Sequence, residues 1–335
     1  MKSVQGKIYT MGKKMGEGTY GSVHQITTND GHIFAFKSYP RGDDDQIDMG
    51  ALREISILQM LKGYEDYGII QLQDVIIQDD ILGVVLPLYK LTLLDAIRKK
   101  ILTPPEKLCI HQKLLRSLCF LHDNNIIHRD IKPENIMIDY GMNPILIDYT
   151  LSKVFNTDNT TETHTGNICS RSYRAPEVIK KESYGFPVDV WSLGVVLKEM
   201  YGLDNINLDE FGIQHLIDPN PITRTTPHNA LYKYFRQVFK MLVPIPEGTI
   251  EVSDYILNIC ENFCIDNKIT RRAAQYYCDN TKCDPHIAVM LACKFYETTP
   301  MDFSLLELDE EYNKQELHIL SGMNYNLNVI KCDVL

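Results

Sequence analysis

No excess of positive charge runs through this sequence. Lys and Arg number 34 against 44 Asp and Glu, a net charge of −10. Neutralising a phosphate backbone takes clustered basic side chains, so nucleic acid is a poor candidate for the main partner. The acidic balance favours solubility instead. No stretch approaches the roughly 18 apolar residues of a membrane-spanning helix, so no membrane association is expected. The opening MKSVQGKIYTMGKK has no apolar run and does not read as a signal peptide. The nine cysteines contain no CxxC pair, and their odd number argues for reduced thiols in an intracellular setting, cytoplasmic or nuclear. Cys260, Cys264, Cys278 and Cys283, with His286 nearby, lack the common zinc spacings and read as buried structural thiols rather than a metal cluster. Internal repeats and low-complexity tracts are missing too.

At 335 residues the chain exceeds one ordinary domain, and its 44% hydrophobic and 23% charged composition is that of a globular protein. Residues 7–40 alternate short apolar runs with glycine and polar turns, and Asn29-Asp30-Gly31 marks a hairpin. Residues 48–62 switch to helical spacing, which places Leu52, Ile55, Leu58 and Leu61 near one face. Strand pattern returns over 69–88, and helical pattern dominates from about 91, with Pro104-Pro105 opening a helix to about 123. Strands followed by helices predict an α+β chain with a small β-rich lobe and a larger α-rich lobe. The polar segment 156–168 lacks periodicity and reads as a mobile loop.

Gly16-Glu17-Gly18-Thr19-Tyr20-Gly21 lies between two strand-like runs. In a dinucleotide fold such a run precedes a helix; here strand continues, so the glycines sit in a hairpin whose N–H groups can approach phosphates. Taken alone, the segment reads equally well as an ordinary Gly-rich turn. Lys37 follows in a strand, and Glu54 lies on the next helix; paired, they would aim an ammonium at nucleotide phosphates. His128-Arg129-Asp130-Ile131-Lys132-Pro133-Glu134-Asn135 is the strongest signal. Asp130 can accept a hydroxyl proton, Lys132 can sit by a transferred phosphoryl group, and Asn135 offers a metal-binding oxygen. Asp148, after the apolar Ile145-Leu146-Ile147, supplies a carboxylate suited to magnesium. A cationic clamp, a metal and a positioned acceptor are the parts that phosphoryl transfer needs.

These residues, with RAPE (174–177) and DVWSLG (189–194), resemble the eukaryotic-type Ser/Thr protein kinases over about residues 8–235. The resemblance implies the two-lobed kinase fold, ATP and Mg2+, and protein substrates. It makes Lys37 and Glu54 an ion pair, Asp130 the catalytic base with Lys132 beside it, and Asn135 and Asp148 the metal ligands. Gly16, Gly18, Gly21 and Val23 join Lys37 at the nucleotide, and Glu177 becomes a structural anchor. ALREISILQML (51–61) and GEGTYG are similar to the cyclin-dependent group. That likeness implies inhibitory phosphorylation at Thr19 and Tyr20 and activating phosphorylation at Thr165, gathered by Arg53 and Arg129. It also implies, through Arg174, a preference for Ser/Thr-Pro substrates. One departure stands out: the usual Asp-Phe-Gly reads Asp148-Tyr149-Thr150. A branched Cβ forbids some glycine conformations, which keeps a pseudokinase-like regulatory scaffold open as the alternative.

Two segments could supply the arginine that pairs with Glu177. Asp218-Pro219 to Arg224 is favoured over Asp266 to Arg271 because it carries the proline. The expected division is then a kinase domain with a shortened large lobe at 1–236 and an all-α helical domain at 237–335. HIAVMLACKFYETTP (286–300) and EEYNKQELHILSGMNYNLNV (310–329) resemble the second half of a cyclin box, with Lys294 and Glu316 at its kinase-contacting positions. The implied partners are a cyclin or a second copy of this chain; because the linker near 233–240 leaves from the large lobe, the helical domain is expected either to dock in trans between two copies or to serve a different role.

Overall fold

The computed structural model describes residues 1–18, 21–39, 48–78, 81–155, 170–202, 213–231, 233–234, 252–253, 274–275 and 278. The chain divides into two compact units, Met1–Asp209 with Ile213–Leu231, and Glu210–Gly212 with Tyr232–Leu335. All elements named below belong to the first.

That unit opens with strands β1 (Tyr9–Gly18), β2 (Gly21–Thr28) and β3 (Ile33–Tyr39), followed by helix α1 (Met49–Met60) and strands β4 (Asp74–Gln78) and β5 (Ile81–Pro87). The five strands form one antiparallel sheet in the order β1-β2-β3-β5-β4. Alternation buries Tyr9, Ile26, Phe36, Ile76 and Val85 as its core. Gly21 has no room for a side chain. Its φ is +136°, and a Cβ there would lie 2.0 Å from the Ser38 carbonyl oxygen.

On α1 the Asp48 carboxylate caps the first turn by accepting the Gly50 N–H at 3.0 Å. The buried face carries Ala51, Glu54, Ile57 and Leu58, and Leu61 just beyond the helix is also buried. The expectation that Leu52 shares this face is corrected: Leu52 is 41% exposed. The helix is rotated so that the Glu54 carboxylate, not the Leu52 side chain, turns inward, because an inward cation partners it.

Strand β6 (Leu91–Thr92) runs into helix α2 (Leu93–Arg98), whose Asp95 N–H donates to Thr92 Oγ1 at 3.0 Å. Helix α3 (Pro104–Asp123) follows, entered through Pro104-Pro105 and the Thr103 N–H bond to Glu106 at 2.7 Å. Strands β7 (Ile126–Ile127), β8 (Ile136–Ile138), β9 (Pro144–Leu146) and β10 (Lys153–Val154) make two small sheets, β6-β8-β9 and β7-β10. Helices α4 (Pro176–Ile179), α5 (Pro187–Tyr201) and α6 (Ile213–Leu216) complete the unit. A β-rich lobe followed by a helical lobe is thus observed. A second core gathers Ile127, Ala175, Tyr184 and Val188. The two lobes share a backbone seam: Leu146 N–H donates to Gly68 O at 2.8 Å, and Ile70 N–H donates to Leu146 O at 3.1 Å. Among the described residues no helix is long and apolar enough to cross a membrane.

His111 on α3 carries a stability consequence. It is 1% exposed, and its Nδ1 lies 3.3 Å from the Tyr201 hydroxyl. Burial pushes its pKa down from 6.5 to about 3. The unfolded chain therefore takes up the proton first. The contribution is whole above pH 6.5 and is lost between pH 6.5 and 3, at about 1.4 kcal/mol per pH unit. Urea midpoints of the wild type should fall more steeply with pH over this window than those of His111→Gln. Parallel curves for the two proteins would count against it.

Candidate functional site

The site is built where β3, α1 and the segments following β7 and β9 meet. Register places Lys37 opposite Val23 on β2 and Val84 on β5, behind the Gly16–Gly21 hairpin. The Lys37 ammonium uses three donors. They go to Glu54 Oε2 at 2.6 Å, Asp148 Oδ1 at 2.7 Å and Thr150 Oγ1 at 2.8 Å. Glu54 Oε2 also accepts the Tyr39 hydroxyl at 2.9 Å, and Glu54 Oε1 accepts the Tyr149 N–H at 3.3 Å. Burial works against the charge on Lys37, but Glu54 and Asp148 outweigh it and raise its pKa. Burial likewise opposes ionisation of Asp148, but the Lys37 charge and hydrogen bond carry its pKa down to about 2. The cation and this carboxylate are thus charged together at neutral pH.

Asp130 and its neighbours are set by a buried carboxylate underneath. Asp189, in the first turn of α5, accepts the His128 N–H at 2.8 Å and the Arg129 N–H at 2.8 Å, and His122 Nε2 lies 3.2 Å away. Burial would raise the Asp189 pKa, but the hydrogen bond and charge of His122 hold it below the usual value. This clamp fixes Arg129 in the left-handed region, at φ 67°. Asp130 follows. Its Oδ2 accepts Lys132 Nζ at 2.6 Å and Asn135 Nδ2 at 2.8 Å, and its Oδ1 accepts the Ser170 N–H at 3.2 Å. Lys132 Nζ also donates to Ser170 Oγ at 3.1 Å.

Among the described residues, the oxygens left over fit a hard divalent cation. Asn135 commits its NH2 to the Asp130 carbonyl and carboxylate, so its Oδ1 remains. Asp148 commits Oδ1 to Lys37 and Thr150, so its Oδ2 remains. One amide oxygen and one carboxylate oxygen suit Mg2+, which keeps several waters and phosphate oxygens in its shell. Among the described residues no His, Cys, Asp and Glu cluster of three or more offers a rival metal site.

The remaining sequence-derived residues divide into those the structure brings together and those it does not describe. Arg53 Nη1 donates to the Thr150 carbonyl at 2.9 Å, and Arg129 Nε donates to the Leu151 carbonyl next in sequence. Burial and then the nearby Arg129 charge lower the Arg53 pKa, as two converging guanidiniums require. Arg224 meets Glu177 through two bonds, Nη1 to Oε1 at 2.7 Å and Nη2 to Oε2 at 3.1 Å. Thr19, Tyr20, Thr165, Lys294 and Glu316 lie outside the described residues, as do Cys260, Cys264, Cys283, His286 and the loop 156–168.

Sequence reasoning missed Tyr39, Ser170 and His122. None belongs to a local pattern; each reaches the site through chain folding. The Asp189 role had one signal, an acidic residue in the first turn of a Pro-initiated helix. Tyr149 gives a further outcome. Its ring is fully buried against His128, yet its hydroxyl has no partner among the described residues. An unsatisfied buried hydroxyl costs about 1–3 kcal/mol, so Tyr149→Phe should raise stability by about 1–2 kcal/mol in urea unfolding. A loss of about 1 kcal/mol or more would refute this.

Comparison with known proteins follows the same line. A family model described as "Protein kinase domain" matches residues 9–278. The Caenorhabditis elegans protein named Cyclin-dependent kinase-like 1 is 36% identical to the chain over 192 residues, covering 56% of this chain and 53% of that protein. The chain spans about half the length of that curated relative.

Proposed function

The chain belongs to the protein kinase family, and from that premise we propose that it transfers the γ-phosphoryl group of ATP to Ser or Thr hydroxyls of protein substrates. The observation that carries the reading is the convergence of Lys37 on Glu54 and Asp148, which unites a strand, a helix and a loop distant in sequence. In the transfer, the substrate hydroxyl oxygen forms a bond to the γ-phosphorus and the bond to the bridging β–γ oxygen breaks. Asp130 takes the hydroxyl proton; among the described residues its Oδ1 is held by the Ser170 N–H alone and has a lone pair to give. Lys132 places positive charge beside the moving phosphoryl group. Lys37, fixed by Glu54, orients the nucleotide phosphates. Asn135 Oδ1 and Asp148 Oδ2 would hold Mg2+, which when bound offsets phosphate charge.

Two finer features belong to the same proposal. Preference for Ser/Thr-Pro sites follows from the likeness of Arg174, which ends the turn Arg171–Tyr173 just before α4. Regulation by a cyclin or a second copy is supported by the likeness of α1 and of 286–329 to the two halves of such a complex. The rival, a binding scaffold without transfer, draws on Tyr149-Thr150. Its support weakens at Thr150, which is absent from the residues with positive φ, so the branched side chain sits there without the strain that glycine would relieve. The deciding experiment measures labelled phosphate passing from ATP and Mg2+ to protein, with wild type set against Asp130→Asn. Transfer that is equal in the two, or absent in both, would overturn the enzyme reading.

A further inference from the structure

At position 150 a branched residue replaces the glycine of the family pattern, and the structure gives that departure partners on two sides. Thr150 is 1% exposed. Its hydroxyl accepts from Lys37 Nζ and lies 2.6 Å from Glu54 Oε2 and 2.8 Å from Asp148 Oδ1. One proton serves both carboxylates in turn, so the hydroxyl stands between two like charges and bonds to either. Its carbonyl accepts Arg53 Nη1. Its methyl group faces Gly50, where an added Cβ would come within 2.8 Å of Thr150 Cγ2. Gly50, Arg53 and Glu54 stand at i, i+3 and i+4, on one face of α1. Thr150 therefore touches that face three ways: methyl in a glycine notch, carbonyl on a guanidinium, hydroxyl on the carboxylate that pairs with Lys37.

We infer that Thr150 is a positioning residue, a clasp that fixes α1 to the segment 148–150 so that Lys37, Glu54 and Asp148 assemble as one unit. The inference builds on the kinase reading for its effect on transfer, but the clasp itself is a property of the fold. Glycine at this position would lose the hydroxyl and the methyl and would add backbone freedom. A hydrogen bond to a charged group is among the stronger ones, and two of them meet at this oxygen.

The test uses the full chain as wild type, Thr150→Ser, Thr150→Val and Thr150→Gly. Amide hydrogen exchange is followed over residues 49–60, with β5 as the internal control, beside kcat and KM for ATP. Thr150→Val and Thr150→Gly should speed exchange over 49–60 by about tenfold or more and lower kcat about as much, with β5 unchanged. Thr150→Ser, which keeps the hydroxyl, should restore most of both. The clasp is overturned if Thr150→Gly exchanges like wild type over 49–60. It is equally overturned if β5 loosens in step with α1, or if Thr150→Ser is as impaired as Thr150→Val. Should wild type transfer no phosphate, the kinase reading fails, and the exchange comparison still decides for or against Thr150.

Discussion

Asp130→Asn is expected to lower phosphate transfer by about 10²- to 10⁴-fold with the KM for ATP nearly unchanged, since this is the range that a positioned general base supplies. The surroundings of Asp130 explain why so small a change weighs so much. Lys132 and Asn135 both donate to Oδ2, and the Ser170 N–H donates to Oδ1. An asparagine keeps its oxygen toward the two donors on the Oδ2 side. Its NH2 then faces the Ser170 N–H, where an acceptor is needed. The variant loses the proton acceptor and also turns a donor toward the incoming hydroxyl. In the proposed site the nucleotide contacts would lie with Lys37 and the glycine hairpin, so ATP affinity should hardly move. Activity within about threefold of wild type would remove Asp130 from the proposed chemistry.

The second large effect concerns stability. Arg224→Met should cost about 3–5 kcal/mol in urea unfolding, because removing one partner of a buried ion pair strands the other. Both side chains are sealed, at 0% exposure for Arg224 and 1% for Glu177. The guanidinium also donates to the Asp218 and Pro187 carbonyls at 2.8 Å each and stacks over the Trp191 ring at 5.1 Å. One side chain thereby ties the segment after α6 to the starts of α4 and α5. The double variant Glu177→Gln with Arg224→Met should recover a good part of the loss, since no lone charge remains buried. A single-variant cost below about 1 kcal/mol would mean the pair is replaced by solvent or by rearrangement.

The parts of the site legible in the sequence are those packed into short segments. His128 to Asn135 holds four candidate site residues, Arg129, Asp130, Lys132 and Asn135, within eight positions, so their spacing alone carried chemistry. The Gly16–Gly21 hairpin was legible for the same reason, as turn residues between two alternating strands. Pairing across distance was legible for Lys37 with Glu54, where a strand lysine precedes a helix carboxylate, and for Arg224 with Glu177, where a resemblance supplied the partner. Thr150 shows the limit. In sequence it reads as a substitution that restricts the backbone; its three contacts on α1 depend on the helix rotation that also defeated the prediction for Leu52. Helical periodicity counts apolar residues and cannot know that a buried carboxylate will claim the inner face. Tyr39 and Ser170 carry no signal beyond being polar residues near an end of strand or loop.

The seam between Gly68, Ile70 and Leu146 has a mechanical reading. Leu146 is joined by its own N–H and carbonyl to the stretch after α1, while the Ile147 N–H donates to the Asn135 carbonyl at 3.0 Å and Ser117 Oγ donates to the Tyr67 carbonyl at 2.6 Å. These bonds make a keel that runs through Asn135, one candidate metal-holding residue, and through Ile147, the residue before Asp148, the other. Braced by such bonds, the two residues proposed to hold the metal share one common floor.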